Sequence, residues 1–306
     1  MSLRFIGLHA KSLRSYKRAL LNFFQWLDEE EHPIPKRHSI LDDLLSQYFE
    51  HLWLDDVNIT YAGHVLSAFR RFYPRLRFKL PVARQFFSNW KSVRVPKQAV
   101  PMPAEIAMAV AGVAVEVKDY KMGLLVLLGF TLFLRTSEIT NLLVSQVQVN
   151  CQTGQIILAL PATKTSKQKL ESVAVTDELL AHFTQFVLCR ANSSIGGLTA
   201  NQFRSKLRLL LKFLRLSDMG FTGYSLRRGG ASFAFSTGTH FDKLLVQGRW
   251  QSVKTARQYL DSGRAALVQL RVSPESADLV TKFKAKLVSF CEQLRQGRTS
   301  KRLKLE

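Results

Sequence analysis

The sequence predicts a mostly α-helical protein of two domains, the second carrying one small antiparallel β-sheet. Three observations lead there. Apolar residues recur at spacings of three and four through most of the chain, the mark of helices with one buried face. A proline-marked segment at 93–103, with prolines at 96, 101 and 103, interrupts that pattern as an interdomain linker would. In one stretch, 147–175, the helical period gives way to short β-branched and apolar runs separated by turn residues. The domains expected are residues 1–97 and 98–306.

The first helix is expected over 12–27, where Leu13, Tyr16, Leu20, Phe23, Phe24 and Leu27 share a face. Acids and two prolines at 28–35 end it. Further helices follow at 40–54, 60–73 and 81–90. In the second domain the pattern predicts helices at 104–112 and 119–134, then strands at 147–150, 155–160 and 170–175. Their turns fall at 152–154 and 162–169. Helices resume at 177–189, 200–214, 226–237 and from 241 onward. Near the end, Ser273 and Pro274 form a helix start, a capping hydroxyl followed by proline at the first position. Leu279, Val280, Phe283, Leu287, Cys291 and Leu294 then make an apolar stripe that must be buried somewhere.

The charge narrows the function. Lys and Arg total 44 against 23 Asp and Glu, a net +21 in 306 residues. Such an excess points to a polyanionic partner, nucleic acid first. No apolar run approaches the length of a membrane span, and the opening MSLRFIGLHAKSLRSY lacks a secretory signal's apolar core. Three cysteines, Cys151, Cys189 and Cys291, without metal-ligand spacing suggest a reducing, intracellular compartment. Between Asp56 and Glu105 there is no acid, but nine basic residues lie between Arg70 and Lys97, interleaved with aromatics. Arg70, Arg71, Arg75, Arg77, Lys91 and Arg94 are the candidates there for contact with a phosphate backbone. In the 200–214 helix, Arg204, Lys206 and Arg208 lie off the apolar side of Phe203, Leu207, Leu210, Leu211 and Leu214. The bland alternative in both places is a solvated basic face over packed apolar residues. The end of the chain, RQGRTSKRLKLE, is basic enough to touch DNA or to serve as a nuclear-import signal.

Several residues invite a chemical reading. Arg135 ends the apolar run LLVLLGFTLFLR, where it would pair with an acid or face a ligand. Glu138 nearby would orient a basic neighbour or cap backbone. Lys164 sits in the turn of the expected hairpin. Arg227 falls at the expected start of the 226–237 helix, where backbone N–H groups favour an anion. Its neighbour Arg228 reads as a surface charge. Trp250 and Tyr259 lie in QGRWQSVKTARQYLD. Each has an ordinary structural reading when taken alone.

Taken in order, Arg135, Lys164, Tyr224-x-x-Arg227, Trp250 and Tyr259 resemble the catalytic pattern of the tyrosine recombinase (phage integrase) family. That pattern runs Arg, hairpin Lys, His-x-x-Arg, His or Trp, then Tyr. GFTLFLRTSEI is similar to its first box, ATKTSKQ to its hairpin lysine segment, and YSLRRGGASFAFSTG with QGRWQSVKTARQYLD to its second box. Trp250, and the spacings of 23 and 9 residues around it, resemble the Cre branch, and the whole suggests a eukaryotic mobile element. SLRSYKRALLNFFQWL resembles the first helix of the family's core-binding domain.

The resemblance implies a helical core-binding domain at 1–97 and an α+β catalytic domain at 98–306, clamping double-stranded DNA. It implies Tyr259 as nucleophile, forming a 3′-phosphotyrosyl link. Arg135 and Arg227 would present guanidinium forks to the phosphate. Lys164 would be the acid that protonates the leaving 5′-oxygen, and Trp250 would pack against the site. No metal and no cofactor is called for. It further implies a tetramer on two DNA sites, with the terminal helix packing into a neighbouring protomer. The basic end of the chain, apart from the resemblance, suggests the nucleus if the host is eukaryotic. Tyr224 departs from the pattern, since a phenol is a poorer base than imidazole at neutral pH. Two alternatives stand beside this reading: an enzyme like the type IB topoisomerases, and a DNA-binding protein that has lost catalysis. If phosphates are the target, binding of the chain to duplex DNA weakens steeply with salt. A log–log slope of Kd against salt near zero would contradict that.

Overall fold

The apolar periods become helices in the computed structural model, which describes residues 8–94, 98–161 and 171–297. Lys164, Lys97 and the basic end of the chain beyond Gly297 lie outside the described residues. The chain divides into two compact units, residues 1–97 and 98–306.

In the first unit, α1 (Ala10–Glu29) packs on α3 (Thr60–Phe72), and α2 (His38–Leu54) on α4 (Pro81–Val93). The core is aromatic. Phe23 has no exposed surface and meets the rings of Trp26, Tyr48 and Phe69 at centroid distances of 6.2, 5.2 and 5.9 Å. One polar contact ties the helices together: buried Asp42 on α2 accepts from the backbone N–H groups of Val82 and Ala83, both at 2.9 Å. It caps α4, whose own preceding residue, Leu80, has no side chain that could do so.

The second unit is built on α5 (Ala104–Glu116) and α6 (Tyr120–Thr131), both almost wholly buried. After α7 (Thr136–Thr140) come β1 (Val147–Asn150), β2 (Gln155–Leu160) and β3 (Glu171–Thr176). They form an antiparallel meander, with Val147 opposite Leu158 and Leu160 opposite Glu171. Ile156, Leu158 and Leu160 turn one face of it into the core. Then follow α8 (Glu178–Leu188), α9 (Ala200–Phe213), α10 (Gly223–Ser236), α11 (Phe241–Gly248), α12 (Val253–Arg257), α13 (Ser262–Leu270) and α14 (Pro274–Arg295). None of the described helices is long and apolar enough to cross a membrane.

Of the boundaries that differ from the sequence expectation, two matter for the site. Helix α6 ends at Thr131 rather than at the expected Leu134, because Phe133 turns into the left-handed region at φ 50°. Helix α10 begins at Gly223, three residues ahead of the expected Leu226. Thr222 and Ser225 close a capping pair there, with Thr222 N–H donating to Ser225 Oγ at 3.0 Å. Arg227 therefore lies in the second turn of α10 and not at an anion-binding helix start.

A third difference concerns α14. The resemblance implied that its stripe would be covered by another protomer. Here Val280, Phe283, Leu287 and Cys291 are buried against α5 and α8 of the same unit. Gly112 on α5 lets the two helices approach so closely that a Cβ would run into the Phe283 carbonyl. Phe290 stacks on Tyr120 at 5.4 Å and meets Phe183 and Phe186 edge-on. Ion pairs Arg215–Glu275, Lys286–Glu116 and Arg295–Glu178 border the contact. Four buried apolar side chains at about 1.5–3 kcal/mol each are comparable to the whole stability of a domain. Truncation after Arg271 is accordingly expected to abolish cooperative thermal unfolding and to cause aggregation. A truncated chain that stays soluble and melts cooperatively would mean that α14 is dispensable to its own unit.

Candidate active site

The candidate site forms where the end of α6, the inner face of α10 and the segment from α11 to Tyr259 meet. Gly230 makes the meeting possible: a Cβ there would run into the carbonyl of Phe130, so α10 could not otherwise lie this close to α6. Arg227, one helical turn earlier, has no exposed surface at all. Its Nη1 donates to the Phe133 carbonyl and its Nη2 to the Gly248 carbonyl, the latter at 2.6 Å. Its guanidinium carbon lies 5.0 Å from the ring centroid of Tyr259 and 5.2 Å from that of Trp250. Nε meets no acceptor among the described residues. Burial, followed by the charges of Arg135 and Arg249, lowers its pKa to about 10, so it stays charged at neutral pH.

Arg135 precedes α7. Its backbone N–H and its Nη1 both donate to Glu138, each at 2.7 Å. The Glu138 side chain is 3% exposed, and that of Arg135 is 29% exposed. Arg135 is thus the accessible cation of the cluster. Glu138 also accepts from Arg249 Nη2 at 2.8 Å. Arg249, which the sequence reading passed over, stands next to Trp250 with φ 53° and ψ 44°. A left-handed conformation costs an L-residue roughly 1–2 kcal/mol. Its only local signal was an arginine wedged between Gly248 and Trp250.

Tyr259 lies in the turn between α12 and α13. Ser232 of α10 fixes its backbone, donating to the Tyr259 carbonyl at 3.1 Å and accepting from Asp261 N–H at 2.9 Å. Trp250 packs on the Tyr259 ring at 4.8 Å. Tyr224, from the first turn of α10, donates its hydroxyl to Tyr259 Oη at 2.6 Å. Burial pushes the Tyr259 phenol up. The hydrogen bond from Tyr224 and the Arg227 charge outweigh it and carry the pKa below the ordinary tyrosine value. Tyr224 moves the other way, raised by burial and by its bond to Tyr259. Of two phenols in contact, the environment selects Tyr259 as the one that ionises.

Five of the six expected catalytic residues thus converge: Arg135, Tyr224, Arg227, Trp250 and Tyr259. Lys164 is outside the described residues, although Glu171, the first residue of β3, is 3.7 Å from Arg249. Arg228 corrects the sequence reading. It is 2% exposed and bonds Gln98 and Asp261, because its position in α10 points it into the unit. Among the described residues no cluster of His, Cys, Asp or Glu is suited to hold a metal ion.

The basic residues away from this centre divide. Arg70, Arg75, Arg77 and Lys91 are exposed, whereas Arg71 is half-buried. Arg70 and Arg77, with Arg84, line a pocket of about 240 Å³ beside exposed Phe78. Arg94 is engaged within its own unit, by Asp56 at 2.7 Å and over the Trp90 ring. On α9, Arg208 is exposed. Lys206 pairs with Asp119, and Arg204 bonds the Ala200 carbonyl and Asn201 on its own helix.

Neither a family model nor a curated protein matches this chain. Solved structures do. The Tn1549 transposon integrase in complex with transposon right end DNA superimposes with a TM-score of 0.62, at 13% identity over 87% of this chain and 95% of that one. The XerH site-specific recombinase in its pre-cleavage complex with difH substrate gives 0.54, at 12% identity over 84% and 79%. A lambda integrase dimer bound to a COC′ core site also gives 0.54, at 14% identity over 84% and 77%.

The tyrosine pair yields a direct test. Tyr224→Phe removes the donated hydrogen bond, so the Tyr259 pKa is expected to rise toward or above the ordinary tyrosine value. Titration of ring-labelled tyrosines by NMR reads the shift. An unchanged Tyr259 titration would show that the hydrogen bond does not tune it.

Proposed function

We propose that this chain, which has the fold of the tyrosine recombinases and integrases, is itself a DNA strand transferase that recombines sites through a phosphotyrosyl bond. The observation that carries the reading is the Tyr224–Tyr259 hydrogen bond set above a cluster of three arginines. A phenol held below the ordinary tyrosine range beside an excess of positive charge suits attack on a phosphodiester.

The steps follow from the residues. Tyr259 Oη loses its proton to solvent, while Tyr224 donates a hydrogen bond that holds the resulting phenolate. Tyr224 thereby acts as a donor rather than as the base that a histidine would be. The phenolate attacks the phosphorus, and the bond to the 5′-oxygen breaks as the phosphotyrosyl bond forms. Arg135, with exposed surface and one edge of its fork unused, meets the nonbridging oxygens. Arg227 supports the developing charge from beneath Tyr259. Lys164 supplies the proton to the leaving oxygen. Because the phosphotyrosyl bond conserves the energy of the bond broken, the strand rejoins without ATP when a 5′-hydroxyl attacks in reverse. The exposed basic residues of both units, Arg70, Arg75, Arg77, Lys91 and Arg208 among them, hold the duplex backbone. Joining two sites calls for four protomers, whose contact is not the buried face of α14.

One observation favours a second reading, a DNA-binding protein without strand transfer: the Arg227 guanidinium is covered and both its Nη groups are occupied. A nicked suicide duplex in EDTA separates the two. Strand transfer is expected to trap a covalent protein–DNA adduct on Tyr259, lost in Tyr259→Phe and slowed in Tyr224→Phe, with the slowing full at neutral pH and fading as the pH rises into the tyrosine range. DNA binding without any adduct would establish the second reading.

A further inference from the structure

Arg249 combines three features that its neighbours do not explain. Its backbone adopts φ 53°, ψ 44°, a conformation that glycine reaches freely and an L-residue only at a cost. Its side chain is nonetheless a long cation, and it is 4% exposed. Buried charge and backbone strain at one position persist only where surrounding contacts impose them. Those contacts reach three segments: Nη2 donates to Glu138 Oε2 at 2.8 Å and to the Phe133 carbonyl at 3.3 Å, and Nε lies 3.7 Å from Glu171. Nη1 is buried and meets no acceptor among the described residues.

The consequence lies in Glu138. Its Oε1 accepts from Arg135 Nη1, and its Oε2 is shared between the Arg135 backbone and Arg249. A carboxylate left with Arg135 alone would close onto the whole edge of that guanidinium, the bidentate geometry arginine prefers. Arg135 would then be neutralised and turned away from any phosphate. Arg249 prevents this by drawing half of Glu138 to itself. It also joins that carboxylate to the first residue of β3, which directly follows the segment carrying Lys164.

We propose that Arg249 is a positioning residue of the strand-transfer site: by sharing Glu138 it keeps the fork of Arg135 open to the phosphate and ties it to β3 at Glu171. This rests on the function proposed above and adds to it a residue that touches neither DNA nor the reacting atoms.

The test uses the full-length chain with Arg249→Gly, Arg249→Lys, Glu138→Gln and the Arg249→Gly/Glu138→Gln double variant. Glycine suits the backbone, so Arg249→Gly removes the bridge while relieving the strain. Adduct formation on the nicked duplex is followed in single turnover, with duplex Kd and Tm measured on the same samples. Arg249→Gly is expected to bind DNA within about twofold of the unaltered chain and to melt no lower. Its adduct should form about tenfold to a hundredfold more slowly, the scale of a misplaced catalytic group. Arg249→Lys should recover only part of that loss, since an ammonium cannot span Glu138, the Phe133 carbonyl and Glu171 together. Glu138→Gln should cost less in the Arg249→Gly background than alone, because the two act as one unit. Additive losses, an unaltered rate in Arg249→Gly, or a rate loss matched by losses in Kd or Tm would each overturn the proposal. An unaltered chain that forms no adduct removes the strand-transfer reading and this one with it. An adduct that Arg249→Gly leaves untouched removes this one only.

Discussion

The guanidinium of Arg227 is a full charge with no exposed surface and no ion pair among the described residues, and the rest of the site is arranged around that fact. Taking such a cation out of water costs several kcal/mol. Two backbone carbonyls offset the cost, at about 1.5–3 kcal/mol for each hydrogen bond to a charged group. Both carbonyls are left over at helix ends. Gly248 closes α11, whose last carbonyls lack partners within the helix, and Phe133 follows the end of α6. Arg227 thus satisfies two orphaned acceptors at once and carries the partial negative end of a helix on its charge. The rings of Trp250 and Tyr259, packed on each other, lie against it. Moving any one of these segments would strand a buried charge.

That arrangement sets the electrostatics of everything nearby. Arg135 and Arg249 add two more cations, and Glu138 is the carboxylate they share. Glu171 stands farther off. The excess of positive charge, with buried N–H groups lacking acceptors, makes an environment in which an anion is stabilised on arrival. It also resolves a symmetry that the side chains alone would leave open. Tyr224 and Tyr259 have the same chemistry and share one hydrogen bond, but only Tyr259 lies directly over Arg227. The field, and the donated bond from Tyr224, make Tyr259 the stronger acid of the two.

Much of the fold was legible in the sequence because helices declare themselves locally. The stripe through Phe23 and Leu27, the near-continuous burial of α5 and α6, and the alternation in β2 each depend on neighbours within a few residues. The boundaries that went astray did so for equally local reasons that carry a weaker signal. Thr222 and Ser225 form a capping pair one turn before the apolar period of α10 begins, and a left-handed Phe133 cuts α6 short of Arg135. Asp42 shows the opposite case. It caps a helix 40 residues further along the chain, and nothing near Leu80 announces it.

By itself the sequence determined the order and type of the elements, the excess of positive charge, and which residues were candidates for chemistry. It determined these because periodicity, capping and composition are properties of short segments. The tertiary structure alone decided which charges are buried and what holds them. Arg228 read as a surface charge and is an internal one. The α14 stripe demanded a cover, and the cover proved to be α5 and α8 of the same unit. Arg227 meets carbonyls 94 and 21 residues away, and Arg249 meets a carboxylate 111 residues away. Partnerships at such separations are chosen by how helices pack, since close packing fixes which surfaces meet. The pattern along the chain marks only that a residue has a buried face, not what will lie against it.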